Sequence, residues 1–437
     1  MTRPELGCSK RTLANGLDVL VHEDHRVPQV AVNVWYHVGS KNELRGRTGF
    51  AHLFEHLMFE GSAHHDHGYF APLQQAGGLV NGSTNADRTN YWEVVPTNAL
   101  ELALWMESDR MGHLLPALTG ERFATQQAVV LNERRQNYEN RPYGLAISAL
   151  TEALYPRAHP YGWMTIGDAA DIRAMELAEV QAFYRRYYHP ANASLTLAGA
   201  IDVEDGFKLA ERYFGDLSPG PVPDRVRAPV PKLKARRLVL QDRVELPRLY
   251  VAWHTPAMFA PGDAEMDLAA DVLANGKTSR LYKTLVFDQR LALDVSAFQA
   301  SREIGGYALI VATAAPGTAL SALSIAIGTE VGEFAATGPT AAELERGQIQ
   351  AESQFIYRLQ TCGGFGGKAD QLNAYNVFTG DPGFFATDRA RYEQATAASV
   401  QETFAAYCRP ECAITLSVVP MGQQALGLPD SEEVVAL

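Results

Sequence analysis

Hydrophobic and polar positions alternate with a period of two at the start of each half of the chain. "LDVLVHE" (17–23) and "QVAVNVWYHV" (29–38) read as strands, and so do "RRLVLQ" (236–241) and "RLYVAWH" (248–254). Longer segments of helical period follow in both halves, and each half closes on another strand pattern, "NASLTLAGA" (192–200) or "CAITLSVV" (412–419). Helices gathered beside a mainly antiparallel sheet predict an α+β domain, and the pattern predicts two of them.

The two halves resemble each other in register. "VLVHEDHRVPQVAV" (19–32) is similar to "VLQDRVELPRLYV" (239–251), with Pro28 and Pro247 separated by 219 positions. "VQAFYRRYYHP" (180–190) is similar to "VQETFAAYCRP" (400–410), at an offset of 220. An offset held across a whole half points to an internal duplication. Between the halves, "DLSPGPVPDRVRAPVPKLKARR" (216–237) is proline-rich and without apolar period, as a linker is. The expected division is therefore residues 1–215, a linker at 216–237, and residues 238–437.

Composition narrows the class. With 437 residues, 46% hydrophobic and 20% charged, the chain is an ordinary globular protein of more than one domain. No apolar run approaches the roughly 18 residues of a membrane span. The net charge of −12 argues against nucleic acid as a partner and is compatible with basic peptides. The first residues lack an apolar signal core, so a cytoplasmic or periplasmic location is expected, the cytoplasm preferred. Cys8, Cys362, Cys408 and Cys412 are too few and scattered for a disulfide framework and read as free thiols, with only Cys408 and Cys412 close in sequence.

Within "GFAHLFEHLMFEGS" (49–62), His52 and His56 stand at i and i+4, on one helix face, with Glu55 beside them. Phe50, Leu53, Phe54, Leu57 and Met58 form the adjoining apolar stripe. Two buried imidazoles and a carboxylate are costly without a partner, and a zinc ion removes that cost. The alternative is a pair of satisfied core histidines. A catalytic zinc takes three protein ligands and leaves one position open, so a third ligand is expected from another element. The helical segment 121–144 carries Glu133, although a lone glutamate on a helix is ordinarily a solvated charge.

His52-Leu53-Phe54-Glu55-His56 is the inverted zincin order, and the chain resembles the pitrilysin/insulysin family of metallopeptidases. The resemblance extends over both halves, to "STNADRTNYWEVV" (83–95) and the "RLY" stretch near 280. It implies a zinc endopeptidase. His52, His56 and Glu133, which lies 77 residues beyond His56, would hold the metal, and Glu55 would be the general base. It further implies that the strand through "STNADRTNYWEVV" pairs with extended peptide substrates, with Asn85 and Ala86 lining the scissile region.

Two departures from the family pattern matter. Gln126 stands where the family carries a supporting glutamate, so it can donate hydrogen bonds but adds no charge. The second-half Arg and Tyr, seven residues apart, that hold substrate in members working alone are replaced by Val286 and Leu293. The expectation is the zinc-bearing subunit of a heterodimer, whose homologous partner supplies that pair across a closed chamber. The alternative is a non-catalytic structural subunit of a larger complex. His64, His65 and His67 read as a solvated loop, with metal binding the lesser reading. "TCGGFGGKADQL" (361–372) lacks the phosphate-loop spacing and reads as a turn or hinge, with substrate contact the lesser reading.

Overall fold

The computed structural model describes residues 5–435. Two six-stranded sheets carry the architecture. The first contains β1 (Ser9–Thr12), β2 (Asp18–Glu23), β3 (Gln29–Tyr36), β4 (Leu79–Thr84), β5 (Thr89–Pro96) and β6 (Ala193–Gly199), in the order β1-β2-β6-β3-β5-β4. The second contains β7 (Arg236–Asp242), β8 (Arg248–Thr255), β9 (Ala292–Ala300), β10 (Gly306–Ala314), β11 (Ile414–Pro420) and β12 (Glu432–Glu433), in the order β12-β7-β11-β8-β10-β9. The class is α+β.

Without β1 and β12 the two orders correspond strand for strand. β6 runs parallel to β2 and antiparallel to β3, and β11 stands in the same relation to β7 and β8. The repeat in the sequence is thus a repeat of topology. Residues 218–235 of the proline-rich stretch form no regular element.

The compact units do not follow the chain's midpoint. One comprises the chain up to Glu133 with Met164–Val226 and Gln354–Thr387, and the other Arg134–Trp163, Arg227–Ser353 and the chain from Asp388. Each unit therefore contains a segment from the other half of the sequence.

In the first unit that segment explains a set of buried polar residues. β3 is buried at every position but Gln29, yet carries Asn33, and neighbouring β6 carries Thr196. The helix Lys368–Thr379 covers this face: Asn373 donates to the Asn33 carbonyl at 2.9 Å and accepts from Thr196 at 2.8 Å. Asn376 likewise donates to Ser194 and Asp18 and accepts from Lys10. Polar groups on a central strand are tolerated where they find partners, and the Asn33 side-chain oxygen accepts from Asn373 at 3.2 Å. The preceding glycine-rich turn is equally constrained, since a Cβ on Gly363 would lie 2.4 Å from Val94 and 2.8 Å from Ala31. Its glycine serves close packing on the sheet.

The second unit has an apolar core cluster of its own. Leu249, Val251 and Trp253 of β8 pack with Leu268 and Val272 of the helix Asp263–Ala274 and with Phe334 and Phe404. Cys8, Cys362, Cys408 and Cys412 are free thiols.

Candidate metal centre

The helix Phe50–Leu57 begins without a conventional cap. Gly49 adopts φ +94°, where glycine is favoured, and offers no side chain. The cap comes from Glu43: its carboxylate accepts hydrogen bonds from the backbone N–H groups of Gly49 and Ala51, each at 2.9 Å. A buried carboxylate at the positive end of a short helix fixes where the helix starts and how it is turned. Phe50 and Phe54 then pack on Phe183, and Phe54 also stacks with Tyr184 and Tyr188. With the apolar stripe anchored, His52, Glu55 and His56 are left on the other side.

The helix Gly120–Arg134 brings Glu133 to this face. Its Oε2 lies 3.3 Å from His56 Nε2 and 3.7 Å from His52 Nε2, and the three ligand atoms fall within 4.8 Å of one another. A tetrahedral ion with bonds of about 2.0–2.1 Å separates its ligands by roughly 3.3 Å. The spacing and the donor set, two imidazole nitrogens and one carboxylate oxygen, fit zinc.

The surroundings separate the two imidazoles electrostatically. Burial, with His56 alongside, holds the His52 pKa down at about 4, against the pull of Glu133, so its ring is neutral at pH 7. Burial also acts to lower His56, but the hydrogen bond and charge of Glu133 outweigh it and leave the His56 pKa raised. Burial raises the Glu55 carboxyl above the usual range, although the Thr84 hydroxyl bonds to it and His56 and Arg88 oppose the shift. Gln126 donates to Glu60 at 2.5 Å and hydrogen-bonds to His56 as well, so the amide links the imidazole to a second carboxylate.

Asn85 and Ala86 lie outside the strands, in the turn between β4 and β5. The edge of the first sheet is β4; β5, which carries most of the stretch expected to pair with substrate, is interior, between β3 and β4. The carbonyls of Asn85 and Ala86 accept from the backbone of Ser40 and Lys41. A Cβ on Gly39 would lie 2.4 Å from the Asn85 oxygen, so Gly39 permits this turn to close against the chain. Thr84, the last residue of β4, is the one that reaches Glu55. Sequence reasoning did not single out Thr84, Glu43 or Glu60. Glu60 follows His56 by four residues, which was the available signal. In the second unit, Val286 is half-buried and Leu293 is exposed at the start of β9. Among the described residues, no helix is long and apolar enough to cross a membrane.

Comparison with known proteins agrees with this architecture. Residues 18–166 match the family described as Insulinase (Peptidase family M16), and residues 174–351 match the one described as Peptidase M16 inactive domain. A protein named zinc protease PqqE from Helicobacter pylori is 30% identical over 359 residues, 80% of each chain. A crystal structure of a protease from Helicobacter pylori superposes with a TM-score of 0.88 at 26% identity, covering 95% of this chain and 100% of that one. The periplasmic protease PqqL from Escherichia coli shares the fold, with a TM-score of 0.78 at 17% identity over 98% of this chain and 49% of its own. Duplicated sheets, an inverted H-x-x-E-H helix and matches across both halves lead to one conclusion: the chain belongs to the insulinase family, peptidase family M16.

Proposed function

We propose that the protein is a zinc endopeptidase acting on peptides or small unfolded chains. The observation that carries the reading is the convergence of His52 Nε2, His56 Nε2 and Glu133 Oε2 within 4.8 Å, with Glu55 on the same helix. Relatives named zinc proteases support it.

In this reading His52, His56 and Glu133 hold the ion. Zinc, when bound, supplies a Lewis acid that polarises the scissile carbonyl and acidifies water. Glu55 takes the proton from the attacking water and returns it to the leaving amine. Burial raises its pKa, which favours holding that proton between the two steps. Thr84 hydrogen-bonds to that carboxylate and orients it. Gln126 and Glu60 steady His56. An extended substrate adds to the free edge of β4, Leu79–Thr84, with the turn at Asn85 and Ala86 marking the end of the groove beside Glu55.

Val286 and Leu293 offer neither a guanidinium nor a phenol to hold a substrate or its developing oxyanion. An oxyanion donor contributes roughly 3 kcal/mol to catalysis, so the reading includes a homologous subunit that supplies it in a closed heterodimer. The inactive-domain match covers residues 174–351, beyond the H-x-x-E-H helix, so it does not favour a purely structural role for the whole chain.

The test is peptide hydrolysis by the purified chain, alone and with a homologue that carries the Arg/Tyr pair, beside metal analysis. One zinc per chain is expected, with turnover raised about a hundredfold or more by the homologue. Glu55→Gln should abolish turnover and keep the zinc. A zinc-free protein whose activity survives Glu55→Gln would refute the proposal.

A further inference from the structure

Among the described residues, three groups of His, Cys, Asp or Glu each bring their ligand atoms within 4.8 Å. One is the centre above. A second, Glu23, His25 and Asp202, is exposed throughout, with no buried member to hold it in place. The third, His64, Asp109 and His113, is constructed differently. We propose that His64, Asp109 and His113 form a second divalent transition-metal site, weaker than the first.

Asp109 and His113 stand four residues apart on one face of the helix Leu100–His113. Asp109 is only 4% exposed and its carboxylate is fixed: the Ser62 hydroxyl and the His64 backbone N–H both donate to Oδ2. These bonds hold Asp109 in its charged form, overcoming the burial that opposes it. His64 Nδ1 lies 2.5 Å from the other oxygen, Oδ1. The loop is laced to the helix end by Ala63 N–H to the His113 carbonyl at 2.9 Å, and folded on itself by Ser62 N–H to the His65 carbonyl at 2.8 Å.

The imidazoles of His64 and His113 meet at 4.9 Å between ring centroids and 80° between planes. His52 and His56 meet at 4.9 Å and 72°. The second pair thus repeats the ring-to-ring geometry of the first, with a carboxylate alongside that is bonded to His64 Nδ1 and must separate from it as an ion enters. The pair sits at a helix C-terminus, whose dipole favours a cation. Two imidazoles and one carboxylate suit zinc, cobalt, nickel or copper rather than calcium or magnesium. Both rings are exposed, so water completes the coordination and the ion exchanges more freely than at the buried centre. The same loop walls a cavity of about 600 Å³ lined by Glu60, Ser62, Ala63, Asp66 and Arg122. Filling the site ties this wall to the helix end.

The test is calorimetric titration of zinc into the metal-stripped, full-length protein, with metal analysis after gel filtration. Wild type is expected to take a tight equivalent and a weaker one. His64→Ala and His113→Ala should each weaken the second equivalent by at least about tenfold and leave the tight one. His52→Ala/His56→Ala should lose the tight equivalent and keep the weaker, and His25→Ala should change neither. Circular dichroism checks folding, and His113→Gln serves if His113→Ala unfolds. The inference is overturned if wild type shows no second equivalent at sub-millimolar zinc, if that equivalent survives both single substitutions, or if it vanishes with His25→Ala instead. Loss of the tight equivalent alone would count against the proposed peptidase centre and leave this site standing.

Discussion

Replacing Arg110 by methionine should destabilise the first unit by about 3–5 kcal/mol. The guanidinium is 1% exposed and donates from Nε to Glu107 at 2.9 Å, with a second, shorter bond completing a two-point contact. It also reaches Glu93 at 3.4 Å and the Met58 carbonyl at 3.5 Å, and lies over the rings of Tyr69 and Tyr91 at 3.8 and 4.2 Å. Glu107 and Glu93 are themselves 0% exposed. Burial and the neighbouring Glu107 push the Glu93 pKa well up, with Arg110 opposing, which favours its neutral form. The cluster is then one cation against one carboxylate. Removing the cation strands the Glu107 carboxylate in the core, which costs several times what an exposed pair would.

The measurement is urea unfolding followed by the fluorescence of Trp35, Trp92 and Trp105, with Trp163→Phe and Trp253→Phe silencing the second unit. Two controls separate the stranded charge from simple loss of packing. Arg110→Met/Glu107→Leu should recover at least half of the deficit, since an apolar replacement of a buried pair is often close to neutral. The single variant's deficit should also shrink from pH 8 to pH 5. A buried acid without its cation has a raised folded-state pKa, so the penalty fades as falling pH protonates it. A deficit under about 1 kcal/mol, or a double variant no more stable than the single, would refute the reasoning.

Three further outcomes are expected. Glu43→Ala removes both acceptors from the start of the Phe50–Leu57 helix, so it should lower stability by about 1–2 kcal/mol and weaken zinc binding, checked by thermal melting and zinc titration. Gly39→Ala forces a methyl against the Asn85–Ala86 turn; a loss of about 1–3 kcal/mol, read by urea unfolding, is expected, and an unchanged midpoint would show that the turn yields freely. Burial and the charges of Asp263 and Asp271 push the Asp267 pKa up to about 7, so its ionisation disfavours the fold. Stability linked to this group is full below about pH 4 and declines as pH rises to about 7; Asp267→Asn should therefore gain up to roughly 4 kcal/mol over wild type at pH 8 and nothing at pH 4, and parallel pH profiles would rule this out.

What the sequence disclosed follows from where the physics is local. β2, β3, β7 and β8 were legible because alternation is a property of neighbouring residues, and His52, Glu55 and His56 because one helical turn juxtaposes them. Glu133 was reachable only through family spacing, since nothing in its own segment distinguishes it from a solvated charge. β4 was not legible as a strand because "LVNGST" has no apolar alternation; an edge strand open on one side needs none, and its burial pattern is irregular. Glu43 was missed because it caps from six residues before Gly49, through a loop whose path no local rule predicts. The placement of the Lys368–Thr379 helix over Asn33 and Thr196 was invisible for the same reason, being a contact across more than 170 residues.

The duplicated fold also shows why a scaffold alone does not make a site. In the second unit the helix that follows β8, Asp263–Ala274, occupies the place in the strand order that Phe50–Leu57 occupies after β3. It too presents ligand-type side chains at helical spacing, Asp263, Asp267 and Asp271. Each of these carboxylates is already engaged. Asp263 accepts from Phe259 N–H, Gln299, Ser301 and Arg391, Asp267 from Tyr392, and Asp271 from Asn275. On Phe50–Leu57 the imidazoles of His52 and His56 face one another and the single carboxylate of Glu133, so two nitrogen donors and one carboxylate converge where the second-unit helix offers carboxylates alone. The repeats share topology, and what separates them chemically is which side chains the equivalent helices present: imidazoles on one, carboxylates on the other.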